Sequence, residues 1–173
     1  KLLVVAPHCD DEVLGQAGVI KRAVDSGSEV KVAIATDCSK HRNGKLREEE
    51  TKEALKLLGV NKGISFWRFS EGRGKTQEET DGLISKLEQT LREMEPDYIF
   101  IPHPKDTHED HSWVGQTFRK VAYELRPKDK VMYYLIHYNF LKFPSPPGLR
   151  PESYLTPPIK LITLNEEWFR FEL

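Results

Sequence analysis

What most constrains this chain is the regular exchange of one hydrophobic period for another. Leu2–Ala6 is a continuous apolar run ended by Pro7, the pattern of a strand buried on both faces of a parallel sheet. Over Glu12–Ser26 the spacing changes: Val13, Leu14, Ala17, Ile20, Ala23 and Val24 recur every three to four residues before Gly27, which predicts an amphipathic helix with a stop signal. The pair then repeats. Strands are predicted at Val30–Thr36, Ile64–Phe69, Tyr98–Ile101 and Val131–Tyr138. Helices are predicted at Lys45–Leu58, along Leu83–Met94 with Pro96 barring continuation, and at Trp113–Leu125. This alternation implies an α/β fold: a single Rossmann-like domain whose mostly parallel sheet carries helices on both faces. In the expected strand order 3-2-1-4-5, ligands bind beyond the carboxyl ends of strands one and four, where the order reverses.

Composition bounds the rest. The 173 residues, 38% hydrophobic and 31% charged, suit one domain spanning 1–173 that buries a core without disulfide or structural metal. Six of the eleven prolines fall between Pro144 and Pro158, so 139–158 is read as a proline-rich loop, either a connector or a flap beside the substrate. Ile159–Thr163 is a candidate last strand. With 26 Lys+Arg against 27 Asp+Glu, the net charge of -1 gives no pull toward nucleic acid or an anionic membrane, which points to a small-molecule substrate. No apolar stretch reaches the roughly 18 to 20 residues of a membrane span, and the first residues are too quickly polar for a signal peptide, so the expected location is cytoplasmic. The chain opens without Met, which leaves room for a native leader.

Two segments are dense in His and Asp: Pro7–Glu12 after the first strand, and Pro102–His111 after the fourth. Four of the six histidines lie in them, and the strand order brings both to one crevice. A single acidic loop is usually no more than solvated surface. Two such loops converging are different, because clustered carboxylates raise one another's pKa unless a cation compensates, and imidazole with carboxylate suits zinc. Catalytic zinc takes three protein ligands and keeps one position open, matching His8, Asp11 and one histidine of the second loop. The two cysteines, Cys9 and Cys38, form no CxxC pair and therefore no thiolate zinc site.

Pro7-His8-Cys9-Asp10-Asp11-Glu12-Val13-Leu14-Gly15 and the later His103-Pro104-x-Asp106-x-His108-x-Asp110-His111 closely resemble the motifs of the zinc-dependent N-acetylglucosaminyl de-N-acetylase superfamily, the PIG-L or LmbE-like family. Arg47-Glu48-Glu49-Glu50 with Ala54 and Leu58-Gly59 resembles its second-helix signature. The resemblance implies one zinc per chain, held by His8, Asp11 and His111, and Asp10 as the general base toward a metal-activated water. It implies His108 as an imidazolium facing the oxyanion, with Asp110 holding that ring and favouring its charged form. Either Asp10 or His108 would protonate the leaving amine. Arg47 is similar to an arginine that reaches substrate hydroxyls or phosphate, and reads equally well as a surface charge paired with Glu50. Asp106 and His103 match positions that orient ligands without touching metal. The activity so implied is removal of the N-acetyl group from an N-acetylglucosamine-type sugar or conjugate.

Some residues depart from the pattern. Cys9 replaces a proline or small residue and is read as buried filler, and Glu71 stands near where relatives carry an Asp-Gly after strand three. Nothing matches the Lys- and His-containing C-terminal segment that closes the pocket in many relatives. The expectation is therefore a compact member, a pocket completed by a partner copy in a homo-oligomer, or residues outside this sequence. A dinucleotide-binding oxidoreductase is excluded, since no Gly-x-Gly-x-x-Gly turn follows strand one. A two-metal phosphoesterase and a non-catalytic, metal-stabilised binding domain remain as alternatives.

Overall fold

The computed structural model describes residues 1–40, 43–72, 74–125, 131–138 and 167. The proline-rich stretch, the strand expected at 159–163 and His41 lie outside the described residues.

The elements run β1 (Leu2–Ala6), α1 (Asp11–Asp25), β2 (Val30–Thr36), α2 (Gly44–Leu57), β3 (Ile64–Phe69), α3 (Gln77–Met94), β4 (Tyr98–Pro102), α4 (Glu109–Leu125) and β5 (Val131–Tyr134). The five strands form one sheet in the order β3-β2-β1-β4-β5, and every pairing is parallel. The expected α/β fold and strand order are therefore observed.

Pleating divides the core. Leu2, Val4 and Ala6 of β1 point to one face, where Ile20 of α1 and Leu55 of α2 cover them; Leu3 and Val5 point to the other, under Leu83, Leu87 and Leu91 of α3 and Val114 and Phe118 of α4. β1 is thus apolar throughout because both its faces are covered. Among the described residues no helix is long and apolar enough to cross a membrane.

Three boundaries differ from expectation: α3 begins at Gln77, six residues before Leu83, because Thr76 and Glu79 cap it ahead of its apolar stripe, and the other two fall at the crevice. α4 begins at Glu109 rather than Trp113, because Glu109 and Asp110 place acids at the positive end of the helix dipole before the apolar periodicity sets in. β5 stops at Tyr134 rather than Tyr138. The N–H groups of Ile136 and His137 leave the ladder and donate instead to Asp106 Oδ2, at 3.2 and 3.0 Å. A Cβ on Gly115 would lie 2.4 Å from the Pro102 carbonyl oxygen and 2.9 Å from Pro104 N, so only glycine lets α4 sit this close to the end of β4.

Candidate active site

The loops after β1 and β4 meet at the reversal of strand order. His8 and Asp11 come from the first, Asp11 opening α1; Asp106 and His108 come from the second, and Asp110 and His111 from the first turn of α4. Asp11 Oδ2 lies 3.0 Å from His8 Nδ1 and 3.0 Å from His111 Nε2, and those two nitrogens are 3.3 Å apart. Three ligand atoms around a tetrahedral zinc at its usual bond lengths stand about 3.3 Å from one another. The triangle therefore has the size of three ligands on one face of a metal ion. Two overlapping groups, His8–His108–His111 and Asp11–His111–His137, also bring their ligand atoms within 4.8 Å of one another.

Carboxylates behind the triangle fix its rings. Asp110, fully buried, lies 3.0 Å from His8 Nε2 and accepts the Gly72 N–H at 2.9 Å, and its other oxygen is 2.8 Å from Lys75 Nζ. Asp106 Oδ2 lies 3.2 Å from His111 Nδ1, while its Oδ1 accepts the His108 N–H at 2.9 Å. Each imidazole thus has a carboxylate on the nitrogen turned away from the triangle, the arrangement that sets the tautomer of a metal-binding histidine.

Charge follows from these contacts. Burial alone would lower the His8 imidazole, but Asp11 and Asp110 raise it to about 10; burial would lower His111 too, and Asp106 with Asp11 raises it to about 9. Burial would raise Asp11, yet His111 and His8 hold it well below the usual carboxylate range. Two imidazolium charges thus converge on the buried Asp11 carboxylate, each backed by a second buried carboxylate, Asp110 or Asp106. Those two positive charges are what a divalent cation would supply.

Asp10 occupies the N-cap position of α1 without capping it. Its Oδ2 instead accepts from Arg47 Nη2 at 2.9 Å, and Arg47 also donates to the Cys9 carbonyl and pairs with Glu50 at 2.9 Å. Arg47 thus pairs with Glu50, as one of its two expectations had it, and also reaches Asp10. Burial and the neighbouring Asp11 raise the Asp10 carboxyl, and Arg47 opposes them. A cavity of about 390 Å³, lined by His8, Asp10, Asp11, Arg47, Glu71 and His137 among others, opens beside these groups. A larger cavity of about 720 Å³ lies along α4 against Lys105, Arg119 and Tyr123, and none of the clustered His and Asp residues lines it.

Three expectations need correction. Asp110 was expected to hold the His108 ring, but its contacts run to His8, Gly72 and Lys75, and His108 Nδ1 is buried without a hydrogen-bond partner. His108 was expected as an imidazolium; burial and the charges on His8 and His111 push it down to about 4, so the ring is neutral near pH 7. His103 lies off the site, its Nδ1 accepting the Lys105 N–H at 3.0 Å. Asp106 does lie against a ring of the triangle, that of His111. Cys9 is buried filler as expected, its thiol raised by the neighbouring Cys38 thiol and by burial. The sequence reading passed over His137, whose ring centroid stands 5.0 Å from that of His111 and 5.6 Å from that of His108, and it passed over Lys75.

Known proteins place this arrangement. A probable N-acetyl-alpha-D-glucosaminyl L-malate deacetylase 2 of Bacillus cereus is 28% identical over 142 residues, covering 75% of this chain and 63% of that protein. A conserved protein of Thermus thermophilus shares the fold at a TM-score of 0.66 with 27% identity, over 80% of this chain and 67% of that one. The N,N'-diacetylchitobiose deacetylase of Pyrococcus horikoshii, solved with its inhibitor, does so at 0.60 with 26% identity, over 77% of this chain and 59% of that one. The chain spans less than two thirds of the length of the curated relatives it matches. The GlcNAc-PI de-N-acetylase family pattern matches residues 3–122, from the start of β1 into α4 and so through both halves of the crevice, and the chain belongs to that family, PIG-L.

Proposed function

We propose that the protein is a zinc-dependent N-deacetylase that hydrolyses the acetamide of an N-acetylglucosamine-type sugar or conjugate to acetate and a free amine. The observation that carries this reading is the triangle of His8 Nδ1, Asp11 Oδ2 and His111 Nε2 with the Asp10 carboxylate beside it, left uncapped and held by Arg47. His8, Asp11 and His111 would hold the ion, a two-nitrogen, one-oxygen set suited to zinc. When bound, zinc supplies a Lewis acid that polarises the acetamide carbonyl and brings the pKa of water toward 7.

The chain's own residues do the proton work. Asp10, half exposed at the cavity and held by Arg47, takes a proton from the attacking water. His108 is neutral and offers a ring N–H to the carbonyl oxygen as negative charge develops on it. A ring held near 4 by burial and by the charges on His8 and His111 carries no proton to give at neutral pH, and a divalent ion in place of the two imidazolium protons would act in the same direction. The proton reaching the departing nitrogen as the C–N bond breaks is therefore the one Asp10 has taken. Arg47 also lines the cavity, where it contacts substrate hydroxyls. The deacetylases among the relatives, acting on N-acetylglucosaminyl malate and diacetylchitobiose by their names, support this substrate class.

The test is metal content per chain together with acetate release from a panel of N-acetylglucosamine derivatives, with and without chelator. One zinc per chain and chelator-sensitive acetate release are expected. Release that is indifferent to chelator would overturn the metal's role, and two metals per chain without acetate release would favour a phosphoesterase.

A further inference from the structure

We propose that His137 is a fourth protein ligand to the metal, one that closes the ion in the resting site and is displaced when substrate enters; this rests on the metal site proposed above. His137 follows β5, on the far side of β4 from the loop that carries His8. A ring nitrogen of His137, one of His111 and a carboxylate oxygen of Asp11 lie within 4.8 Å of one another. Its ring thus stands beside two of the three members of the triangle, and it lines the same cavity as His8 and Asp10.

The placement is built. Asp106 Oδ2, the oxygen 3.2 Å behind the His111 ring, also accepts the His137 N–H at 3.0 Å, and the His137 carbonyl accepts the Thr107 N–H at 3.0 Å. One buried carboxylate thus sets both the ring of a ligand and the backbone of His137, so the two histidines keep a fixed relation. Burial separates their roles: Asp11 and His111 are 2% and 0% exposed, whereas the His137 side chain stands exposed at the cavity. Three protein ligands leave one position of a tetrahedral zinc to be filled, and a neighbouring imidazole is a good ligand for it. The same position must be free for reaction, so His137 competes with substrate for it rather than acting on the amide.

The experiment uses the cobalt-loaded full chain and compares His137→Ala and His137→Gln with wild type, reading the visible cobalt spectrum and metal affinity against a chromogenic chelator. The alanine variant is expected to bind cobalt and zinc about ten-fold more weakly or worse. Its spectrum should change, and added free imidazole should restore the wild-type spectrum, a rescue that a purely structural role would not produce. Glutamine should not restore the affinity. Equal affinity and an unchanged spectrum in His137→Ala would overturn the inference, and a lowered kcat alongside them would place His137 on the substrate instead. A wild-type chain that binds no metal overturns this inference with the metal site itself; one that binds a single metal whose affinity ignores His137 overturns only the inference.

Discussion

Asp10 stands where a helix usually turns an acidic side chain back on its own N–H groups, a contact that stabilises by about 1 kcal/mol. Here that carboxylate faces Arg47 and the cavity instead. Local stability given up at an acidic residue beside a metal-sized triangle is what a general base requires, and it separates Asp10 from Asp11 by role although the two are adjacent. Asp10→Asn should therefore keep its metal and lose roughly 10²- to 10⁴-fold in kcat, whereas His8→Ala and Asp11→Ala should lose the metal itself; metal analysis beside kcat measures both. An untouched rate in Asp10→Asn would remove it from the chemistry. Arg47 lowers the Asp10 carboxyl against burial and Asp11, so Arg47→Met should let that carboxyl rise. A base must be unprotonated, and the acid limb of the kcat/KM profile should move to higher pH. A rise in KM with no movement of that limb would mean that Arg47 serves the substrate alone.

At the scale of elements, the placement of α4 decides one side of the site, because its first turn supplies Asp110 and His111 and its register rests on Gly115 against Pro102 and Pro104. Gly115→Ala must push the helix off backbone atoms. A loss of about 1 to 3 kcal/mol in denaturant unfolding is expected. Metal affinity should fall with it, since the displaced helix moves His111, and a stability loss without an affinity loss would show that the first turn adjusts independently. The same helix marks the limit of what the sequence discloses. Periodicity placed every strand and helix among the described residues, because β1 is apolar on both faces and α3 repeats Leu83, Leu87 and Leu91 on one, although α3 itself begins earlier, at Gln77. It missed the start of α4, since Glu109 to Ser112 bury no regular apolar stripe. The residues of the triangle were legible because each motif is local, His8 and Asp11 standing three residues apart. The direction of Asp110 was not, because Gly72 and Lys75 reach it from a loop 38 and 35 positions earlier, and no spacing encodes that. His137 had a readable signal, a histidine just past the end of a strand next to the switch point. Reading β5 as continuing to Tyr138 hid it inside a strand.

For the molecule as a whole, the site joins the two halves of the sheet across the reversal of strand order, His8 and Asp11 from one side meeting Asp106, Asp110 and His111 from the other. Without metal, protons hold that junction. The His8 and His111 imidazoles stand at about 10 and 9 in the folded chain against 6.5 when free, so their contribution is fully present below pH 6.5 and lost as pH rises through 9 to 10. Asp110, lowered from 3.8 to about 2 by His8 and Lys75 against the effect of its burial, runs oppositely: its contribution is present above 3.8 and lost as pH falls through about 2. The metal-free protein should therefore be most stable between pH 3.8 and 6.5 as far as these groups decide it. Zinc needs the lone pairs that the two imidazole protons occupy, so binding releases protons and tightens as pH rises over the window in which the metal-free junction weakens. Thermal melts of chelator-treated and zinc-loaded protein from about pH 6 to 9.5 should accordingly diverge, the treated protein falling by about 5 °C or more while the loaded one holds. A parallel decline of both forms would place the pH dependence elsewhere in the molecule and would mean that protons and metal do not share these three side chains.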